Sequence, residues 1–274
     1  MPTLECYEHY DLHYARTGNV APDWPGAEAH PERFARRAAW LPENRDARIL
    51  DIGCGWGNLL MTLWCAGYRR LEGVDLSSEQ AAVGNAASAG RVVIHCADGG
   101  EFLSARPGQY DLITLISVIE HIPPGDVVPF LRQIKLALVP GGRIVLYMPN
   151  MANLTSAWIH FSDLTHTTGF TELSIQQALE RAGFEDHHFV STSAGDLSKW
   201  SISRPWHGLG LGQLANTALH RVVYRITGQS PQPSCFAANL EVYSHRPAAA
   251  GTTSRAVGAT SKIAGATSKE EVRL

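Results

Sequence analysis

The chain has 274 residues, of which 45% are hydrophobic and 18% are charged, and its formal net charge at pH 7 is -3. This is the composition of an ordinary globular protein with enough apolar residues for a full core. A small negative charge gives no electrostatic reason to expect nucleic acid as a partner. Apolar runs stay well short of the ~18 residues of a transmembrane helix, and the acidic N-terminus is unlike a signal peptide.

The cysteines are scattered and odd in number. They stand at Cys6, Cys54, Cys65, Cys96 and Cys235. Without a Cys-x-x-Cys pair, this usage indicates reduced thiols rather than a disulfide framework or a zinc site. We therefore predict a cytoplasmic protein.

Composition divides the chain into three regions. Residues 1–44 are rich in aromatic residues and histidine, and three tyrosines there have helical spacing, which predicts a helix packed on the domain, a lid over the site, or both. Residues 45–246 alternate apolar strand and helix patterns. Residues 247–274 contain near-repeats with few large apolar groups, which predicts a disordered tail.

The central stretch of the chain is a glycine turn between a strand and a helix. An apolar run ends at Asp51, Gly53, Gly55 and Gly57 follow at every second position, and a helical pattern starts at Asn58. Glycine accepts positive φ and, lacking Cβ, lets a ligand approach closely. Backbone amides at a helix start also favour an anionic group. The turn is therefore predicted to bind a ligand.

Further polar residues follow the next predicted strands. Asp75 ends the second strand about 20 residues after the glycines, the distance at which dinucleotide-binding folds place a ribose-binding acid. Its carboxylate can accept two hydrogen bonds from a ribose diol. Asp98 follows the third strand and Ser117 the fourth. Alternating strands and helices predict an α/β, doubly wound, parallel sheet with its site at the carboxyl ends of the strands.

The segment from Asp51 to Asn58, DIGCGWGN, resembles the first motif of class I S-adenosylmethionine-dependent methyltransferases. LVPGG, at 138–142, resembles another signature of this family, before its fifth strand. The resemblance implies a Rossmann-like, mostly parallel seven-stranded sheet, an antiparallel last strand and S-adenosyl-L-methionine as cofactor. It assigns the adenine amino group to Asp98. The cofactor-binding residues that it implies are Asp51, Gly53, Cys54, Gly55, Gly57, Asn58, Asp75, Leu76, Ala97, Asp98 and Ser117.

Residues 192–234 form an insertion before the last strand, where a hairpin would suffice. One helical face within it is apolar and consists of Leu211, Leu214, Ala218, Val222 and Ile226. This face predicts a helix that packs over the active site or the sheet edge. A dimer contact and a membrane-surface helix for a lipid-linked substrate are the alternatives.

Two histidine motifs are candidates for the chemistry. Methyl transfer needs an aligned nucleophile and, for a hydroxyl, a base, which imidazole can supply near neutral pH. DLTH, from Asp163 to His166, lies in a long loop after the fifth strand and resembles a segment of bacterial methyltransferases that act on polysaccharides or small hydroxylated substrates. We expect Asp163 to orient His166, with a purely structural histidine as the alternative.

The pair Glu120 and His121 follows the fourth strand and is the second candidate. It resembles a pair in ubiquinone-pathway O-methyltransferases, in which an acid three residues earlier helps to bind a metal. That position is Ser117 here, so we predict no metal site.

These observations predict O-methylation of a hydroxyl on a sugar, a glycan or a related secondary metabolite. A quinone- or phenol-type acceptor is the alternative, and a non-catalytic binding subunit is a weaker one, because the glycines, Asp75 and Asp98 are intact. The expected partner is a small-molecule or glycan acceptor and not nucleic acid. Peripheral membrane contact and oligomer formation both remain open.

Overall fold

The computed structural model describes residues 38–190 and 211–248. Most of the predicted lid, most of the predicted tail and the first part of the insertion lie outside these described residues.

The core of the fold is a seven-stranded sheet in the order β3-β2-β1-β4-β5-β7-β6. The strands are β1 (Arg48–Ile52), β2 (Arg70–Asp75), β3 (Val93–Cys96), β4 (Tyr110–Ile116), β5 (Leu138–Pro149), β6 (Glu185–Val190) and β7 (Asn239–His245). Strands β1 to β5 pair in parallel, and β7 is antiparallel to both β5 and β6. This confirms the predicted doubly wound, mostly parallel sheet with an antiparallel last strand.

Helices cover both faces of the sheet. They are α1 (Asn58–Cys65), α2 (Ser78–Ser88), α3 (Gly99–Ser104), α4 (Pro124–Ala137), α5 (Ser156–Phe161), α6 (Glu172–Ala182) and α7 (Leu211–Ile226), with short 3-10 helices at Ala38–Trp40 and Ile119–His121. The sequence predicted the helix ends well where caps mark them. Ser77 accepts a hydrogen bond from the Gln80 amide at the start of α2, and Gly183 ends α6 with φ of 86°.

The central strands are buried on both faces. Leu50 and Ile52 of β1 join a cluster with α4 and α6, whereas Ile49, which precedes Leu50, joins a cluster with α1 on the other face. Continuous apolar runs are what strands covered on both sides require. The predicted parallel strands are therefore correct in type, although β7 starts at Asn239 and not at 235.

The segment between β5 and α6 crosses the carboxyl edge of the sheet. It contains a short helix, α5, where the sequence predicted only loop. A parallel bridge between Asn150 and Phe170, with the Met151 amide donating to the Phe170 carbonyl at 2.8 Å, closes the base of this segment. The segment is thus held over the edge where the predicted site lies.

Helix α7 packs beside this segment, but not with the predicted face. Its buried side carries His220, and Tyr224 donates from its hydroxyl to the Ala152 carbonyl at 3.1 Å. The predicted apolar face is exposed at Leu214, Ala218, Val222 and Ile226. The prediction that this face packs on the domain is wrong, because polar side chains on the opposite face form the hydrogen bonds to the segment. Among the helices described, none combines the length and the apolar character that a bilayer span requires.

Candidate active site

The glycine turn adopts the conformation that its composition predicts. Gly53, Gly55 and Gly57 have φ of 66°, 55° and 87°, in the left-handed region that side chains disfavour. A Cβ on Gly53 would stand 2.3 Å from Val118 Cγ2, and one on Gly55 would stand 2.7 Å from Gln80 Oε1. Both backbone angle and lack of space therefore require glycine at these two positions.

Asp75 lies directly beside this turn. Its Oδ2 accepts from the Gly55 amide at 2.7 Å, and its Oδ1 accepts from the Ser77 amide at 2.9 Å. Burial raises the pKa of Asp75, and these backbone hydrogen bonds oppose that shift. A carboxylate offers about four acceptor positions, so capacity remains for a diol. The geometry fits the role that the sequence predicted for this acid.

Gln80 is a residue that sequence reasoning missed. Its side chain is buried against the turn, and its Oε1 has no hydrogen-bond partner among the described residues. A buried amide oxygen without a partner is costly, so a ligand donor is a reasonable complement. The only sequence signal was its position in the first turn of α2, five residues after Asp75. The Gly55 cradle, Asp75 and this orphan oxygen together fit the cofactor that the sequence implies.

The other predicted cofactor-binding residues differ in burial and in hydrogen bonding. Asp98 is half-buried and uses Oδ1 to accept from the Gly100 and Glu101 amides as the N-cap of α3. Asp51 is buried within the sheet, where it accepts from the Thr114 hydroxyl at 2.6 Å. Cys54 is buried beneath the turn, and burial raises its pKa well above the usual thiol value. Both residues are buried, and their contact with the cofactor stays a prediction.

Four further members lie at the edges of the turn and of the neighbouring strand ends. Asn58 and Leu76 are exposed, and the Ala97 amide donates to the Asp75 carbonyl at 3.0 Å. Ser117 is exposed at the end of β4 with φ of 56°, an uncommon angle for a residue other than glycine. Their contact with the cofactor stays a prediction.

The two histidine motifs come together at the same edge. Thr167 and Thr168 of the segment after β5 donate from their amides to the Glu120 carbonyl at 2.9 and 3.0 Å. The rings of His121 and His166 are then 4.6 Å apart, centroid to centroid. Val118, whose side chain covers Gly53, is two residues before Glu120. The histidine motifs therefore join the glycine turn in one continuous region.

Asp163 reaches His121 through Thr165. Its Oδ1 accepts from the Thr165 amide at 2.8 Å and from the Thr165 hydroxyl at 2.6 Å, and this hydroxyl lies 2.8 Å from His121 Nδ1. His166 uses its own Nδ1 to donate to the His160 carbonyl at 3.0 Å. The expected pair of Asp163 and His166 thus expands into a network that also includes Thr165, which sequence reasoning missed.

Burial determines the protonation states of Glu120 and His121, the most buried ionisable residues of this network. Desolvation raises the pKa of Glu120 to about 8, and the Asp163 charge acts in the same direction. Desolvation, together with His166, lowers the pKa of His121 to about 4. Burial acts to raise the pKa of Asp163, but the hydrogen bonds from Thr165 outweigh it, and the net shift of that pKa is downward. Glu120 and His121 are therefore neutral at pH 7, and Asp163 is ionised.

The same cluster has the composition of a metal site. Glu120, His121 and His166 each offer one ligand-type atom, and these atoms lie within 4.8 Å of one another. Both Glu120 carboxyl oxygens are buried without a hydrogen-bond partner among the described residues. A carboxylate and two imidazoles suit several divalent ions. The absence of a metal site therefore stays a prediction. The composition of this cluster makes an experimental test of that prediction worthwhile.

Comparison with known proteins identifies the family to which the chain belongs. Residues 27–188 match the family model described as a methyltransferase domain. The ubiquinone biosynthesis O-methyltransferase of Burkholderia lata is 41% identical over 131 residues, which are 46% of this chain and 48% of that protein. The chain thus spans about half the length of most of the curated relatives it matches.

Solved structures share the fold. The S-adenosylmethionine-dependent methyltransferase of Archaeoglobus fulgidus has a TM-score of 0.59 at 19% identity, over 86% of this chain and 99% of that one. Phosphoethanolamine N-methyltransferase 2 of Haemonchus contortus, in complex with S-adenosyl-L-methionine, has a TM-score of 0.59 at 17% identity, over 88% and 60%. With the family model covering more than half of the sequence, the chain belongs to the methyltransferase domain family, as a class I S-adenosylmethionine-dependent methyltransferase.

Proposed function

We propose that the protein methylates a hydroxyl oxygen of a small aromatic acceptor of the quinone-precursor type. The observation that carries this proposal is the meeting of Glu120, His121 and His166 beside the glycine turn. The names of the curated relatives, ubiquinone biosynthesis O-methyltransferases, support the acceptor class. A phenolic hydroxyl ionises near pH 10, so a modest base is enough to activate it.

The glycine turn, Asp75 and Gln80 would hold the cofactor. Once bound, S-adenosyl-L-methionine supplies an activated methyl group together with its leaving group. The chain then has to align an oxygen nucleophile, remove its proton and exclude water. In this proposal, Asp75 accepts from ribose hydroxyls and Gln80 Oε1 accepts from a further cofactor donor. The contact of Asp75 with the Gly55 amide, and the lack of a hydrogen-bond partner for Gln80 Oε1 among the described residues, support these roles.

His166 is the base in this proposal. A carbonyl oxygen can only accept, so the hydrogen bond to His160 puts the proton of the neutral ring on Nδ1. This leaves Nε2 as the basic nitrogen of the ring. His166 is also less buried than Glu120 and His121, which leaves it the most accessible of the three to an acceptor.

His121 and Glu120 position that base. An ionised Asp163 can only accept, so the Thr165 hydroxyl donates to it and receives a hydrogen bond from His121 Nδ1. This chain of contacts fixes the His121 ring against the edge of the His166 ring, at an interplanar angle of 67°. Neutral Glu120 and neutral His121 add no charge that would compete for the acceptor proton.

The decisive experiment measures methyl transfer from labelled cofactor to a panel of acceptors. The panel contains dihydroxylated aromatic acids, and monosaccharides and oligosaccharides serve as the second group. We expect transfer to the aromatic group alone. Transfer to the sugars alone would contradict the proposal and support the glycan acceptor, for which the DLTH resemblance at 163–166 is the observation in favour. Cofactor binding with no transfer to either group would support the non-catalytic subunit.

A chelator added to the same assay tests the metal. Unchanged transfer after dialysis against EDTA supports His166 as a simple base. Loss of transfer that Mg²⁺ or Zn²⁺ restores would assign Glu120, His121 and His166 to a metal instead. A Glu120→Gln variant separates these outcomes. It removes a metal ligand but keeps a neutral side chain, as the protonated Glu120 carboxyl is, so it should abolish transfer only if a metal is required.

A further inference from the structure

A cavity of about 360 Å³ lies between α7, the end of β6 and the start of β7. Strand β6 is the edge strand opposite β3, and β7 is its neighbour, whereas the glycine turn follows β1. None of the described residues that line the cavity belongs to the glycine turn or to either histidine motif. Small-molecule sites enclose about 300–1,000 Å³. The cavity therefore has the size of a binding site that is separate from the candidate active site.

The wall of the cavity at residues 234–237 is held by buried polar side chains. The Glu172 carboxylate accepts from the Ser234 amide at 2.8 Å and from the Ser234 hydroxyl at 2.5 Å. On the same wall, Asn153 Nδ2 donates to the Phe236 carbonyl at 2.7 Å. These bonds fix the wall before any ligand arrives, which lowers the ordering cost of binding.

Helix α7, which forms the opposite wall, is held through His220. The Leu154 amide donates to His220 Nε2 at 2.8 Å, and His220 Nδ1 donates to the Asn216 carbonyl at 2.7 Å. The ring is thus held at both nitrogens. Arg221, the next residue, lines the cavity. The anchored histidine therefore fixes the part of α7 that presents a guanidinium group to the cavity.

Two opposite charges line the cavity without pairing with each other. Glu241 is only 6% exposed, and its Oε1 accepts from Trp40 Nε1 at 2.7 Å. Its second oxygen has no hydrogen-bond partner among the described residues, although a carboxylate offers about four acceptor positions. Arg221 is exposed and forms no ion pair with any described residue. A buried carboxylate with an unused oxygen favours a cationic donor, and a free guanidinium favours a carboxylate.

We propose that this cavity binds an amino acid with a large apolar side chain. The ammonium group donates to Glu241, and the carboxylate accepts from Arg221. The apolar side chain lies against Phe189, Phe236 and Leu240, which also line the cavity. Burial of apolar surface there adds to the affinity, and the two charges determine the orientation of the ligand. This second site does not depend on the proposed methyl transfer.

Calorimetry of the full chain tests the site, with saturating S-adenosylhomocysteine present to keep amino acids out of the cofactor site. The probes are L-phenylalanine, phenethylamine, which lacks the carboxylate, and 3-phenylpropionate, which lacks the ammonium group. We expect 3-phenylpropionate to bind at least about tenfold more weakly than L-phenylalanine, because a hydrogen bond to a buried charged group is lost. Phenethylamine should bind several-fold more weakly, because solvent screens the exposed Arg221.

Glu241→Gln and Arg221→Gln assign the two contacts. Glu241→Gln keeps an oxygen for Trp40 but removes the charge, so it should remove most of the preference for L-phenylalanine over 3-phenylpropionate. Arg221→Gln should remove the preference over phenethylamine. Because Arg221 is exposed, this variant still tests the site if Glu241→Gln fails to fold. Arg225→Gln is the matched control, since Arg225 is exposed one turn further along α7 and is not among the described lining residues.

The proposal is overturned if the parent binds no L-phenylalanine at millimolar concentration, or if 3-phenylpropionate binds as tightly. It is also overturned if Arg225→Gln weakens binding as much as Arg221→Gln does. Binding that disappears when S-adenosylhomocysteine is added would overturn it too, because the amino acid would then occupy the cofactor site. Methyl transfer enters none of these measurements, so failure of the proposed function and failure of this inference are distinguishable.

Discussion

The two halves of the candidate site are built in different ways. The cofactor half uses residues from Asp51 to Asp98, and its acids lie at or within two residues of the carboxyl ends of β1, β2 and β3. The acceptor half joins Glu120 and His121 to residues 163–168, about 45 positions later, through backbone hydrogen bonds to the Glu120 carbonyl. A repeated βα unit sets the first arrangement, whereas one irregular segment sets the second. We therefore expect the two halves to respond separately to substitution.

The largest effect that would separate the halves is expected from Gly55→Val. The new side chain meets Gln80 at 2.7 Å from its Cβ, and φ of 55° strains a branched residue. Cofactor binding measured by calorimetry should disappear, while the circular dichroism spectrum stays native-like.

Gly108→Val is the control for strain alone. Gly108 has φ of 62°, and a Cβ added there would meet no heavy atom of the described residues within 4 Å. This variant should therefore lose stability but keep cofactor affinity. Equal cofactor affinity in Gly55→Val and Gly108→Val would mean that the glycine turn does not bind the cofactor.

The next effect addresses the acceptor half alone. His166→Ala should lower turnover about 10²- to 10⁴-fold, the contribution of a positioned base, and leave cofactor affinity within about 1 kcal/mol. His121→Ala is made in parallel. His187→Ala is the control, because it removes a histidine of β6 that forms a hydrogen bond with Ser244 and lies outside both histidine motifs.

The relative turnover of the His166→Ala and His121→Ala variants identifies the base. If His166→Ala keeps near-full turnover while His121→Ala abolishes it, the base is His121. If neither matters, proximity alone drives transfer to an acceptor that is already acidic.

How far the sequence predicts each half follows from this same difference. The position of Asp75 beside the turn was predictable, because parallel neighbouring strands bring their carboxyl ends together. The pairing of His121 with Thr165 was not, because no periodic pattern places an irregular segment on a turn 44 residues earlier. Likewise, the apolar stripe of α7 was visible in the sequence, but which face packs depended on the His220 hydrogen bonds. Local spacing fixes βα units, and long-range polar contacts do not leave such a signature.

A smaller effect tests the anchor of the cofactor half. Asp75→Asn removes the charge but keeps the size, and each charge-assisted hydrogen bond contributes roughly 1.5–3 kcal/mol. We expect the dissociation constant of the cofactor to rise by about tenfold or more for each bond lost. Part of the loss will reflect the turn itself, since the Asp75 carboxylate also holds the Gly55 amide.

Two further variants sharpen that result. Glu79→Gln changes an exposed acid on the same helix as Gln80 and should bind normally. Gln80→Leu removes the orphan oxygen without opening a cavity. Weaker binding by Gln80→Leu would add this residue to the cofactor half, and parent-like affinity would exclude it.

The last test varies the pH and addresses the buried interior of the acceptor half. Glu120 has its pKa raised from 4.5 to about 8, so the folded chain binds its proton more tightly than the unfolded chain does. The associated stability is complete below pH 4.5 and is lost as the pH rises toward 8. His121, with its pKa lowered from 6.5 to about 4, acts in the opposite direction, since its stability is present above pH 6.5 and is lost toward pH 4. The two contributions oppose each other from pH 4.5 to 6.5, and Glu120 acts alone above that range.

The free energy of unfolding, measured with urea, should therefore fall by about 1.4 kcal/mol per pH unit between pH 6.5 and 8 from this group. Glu120→Gln should flatten the decline over that interval, and His121→Ala should leave it in place. A decline of the same slope in Glu120→Gln would show that Glu120 is ionised in the folded chain and hence held by a cation or a donor.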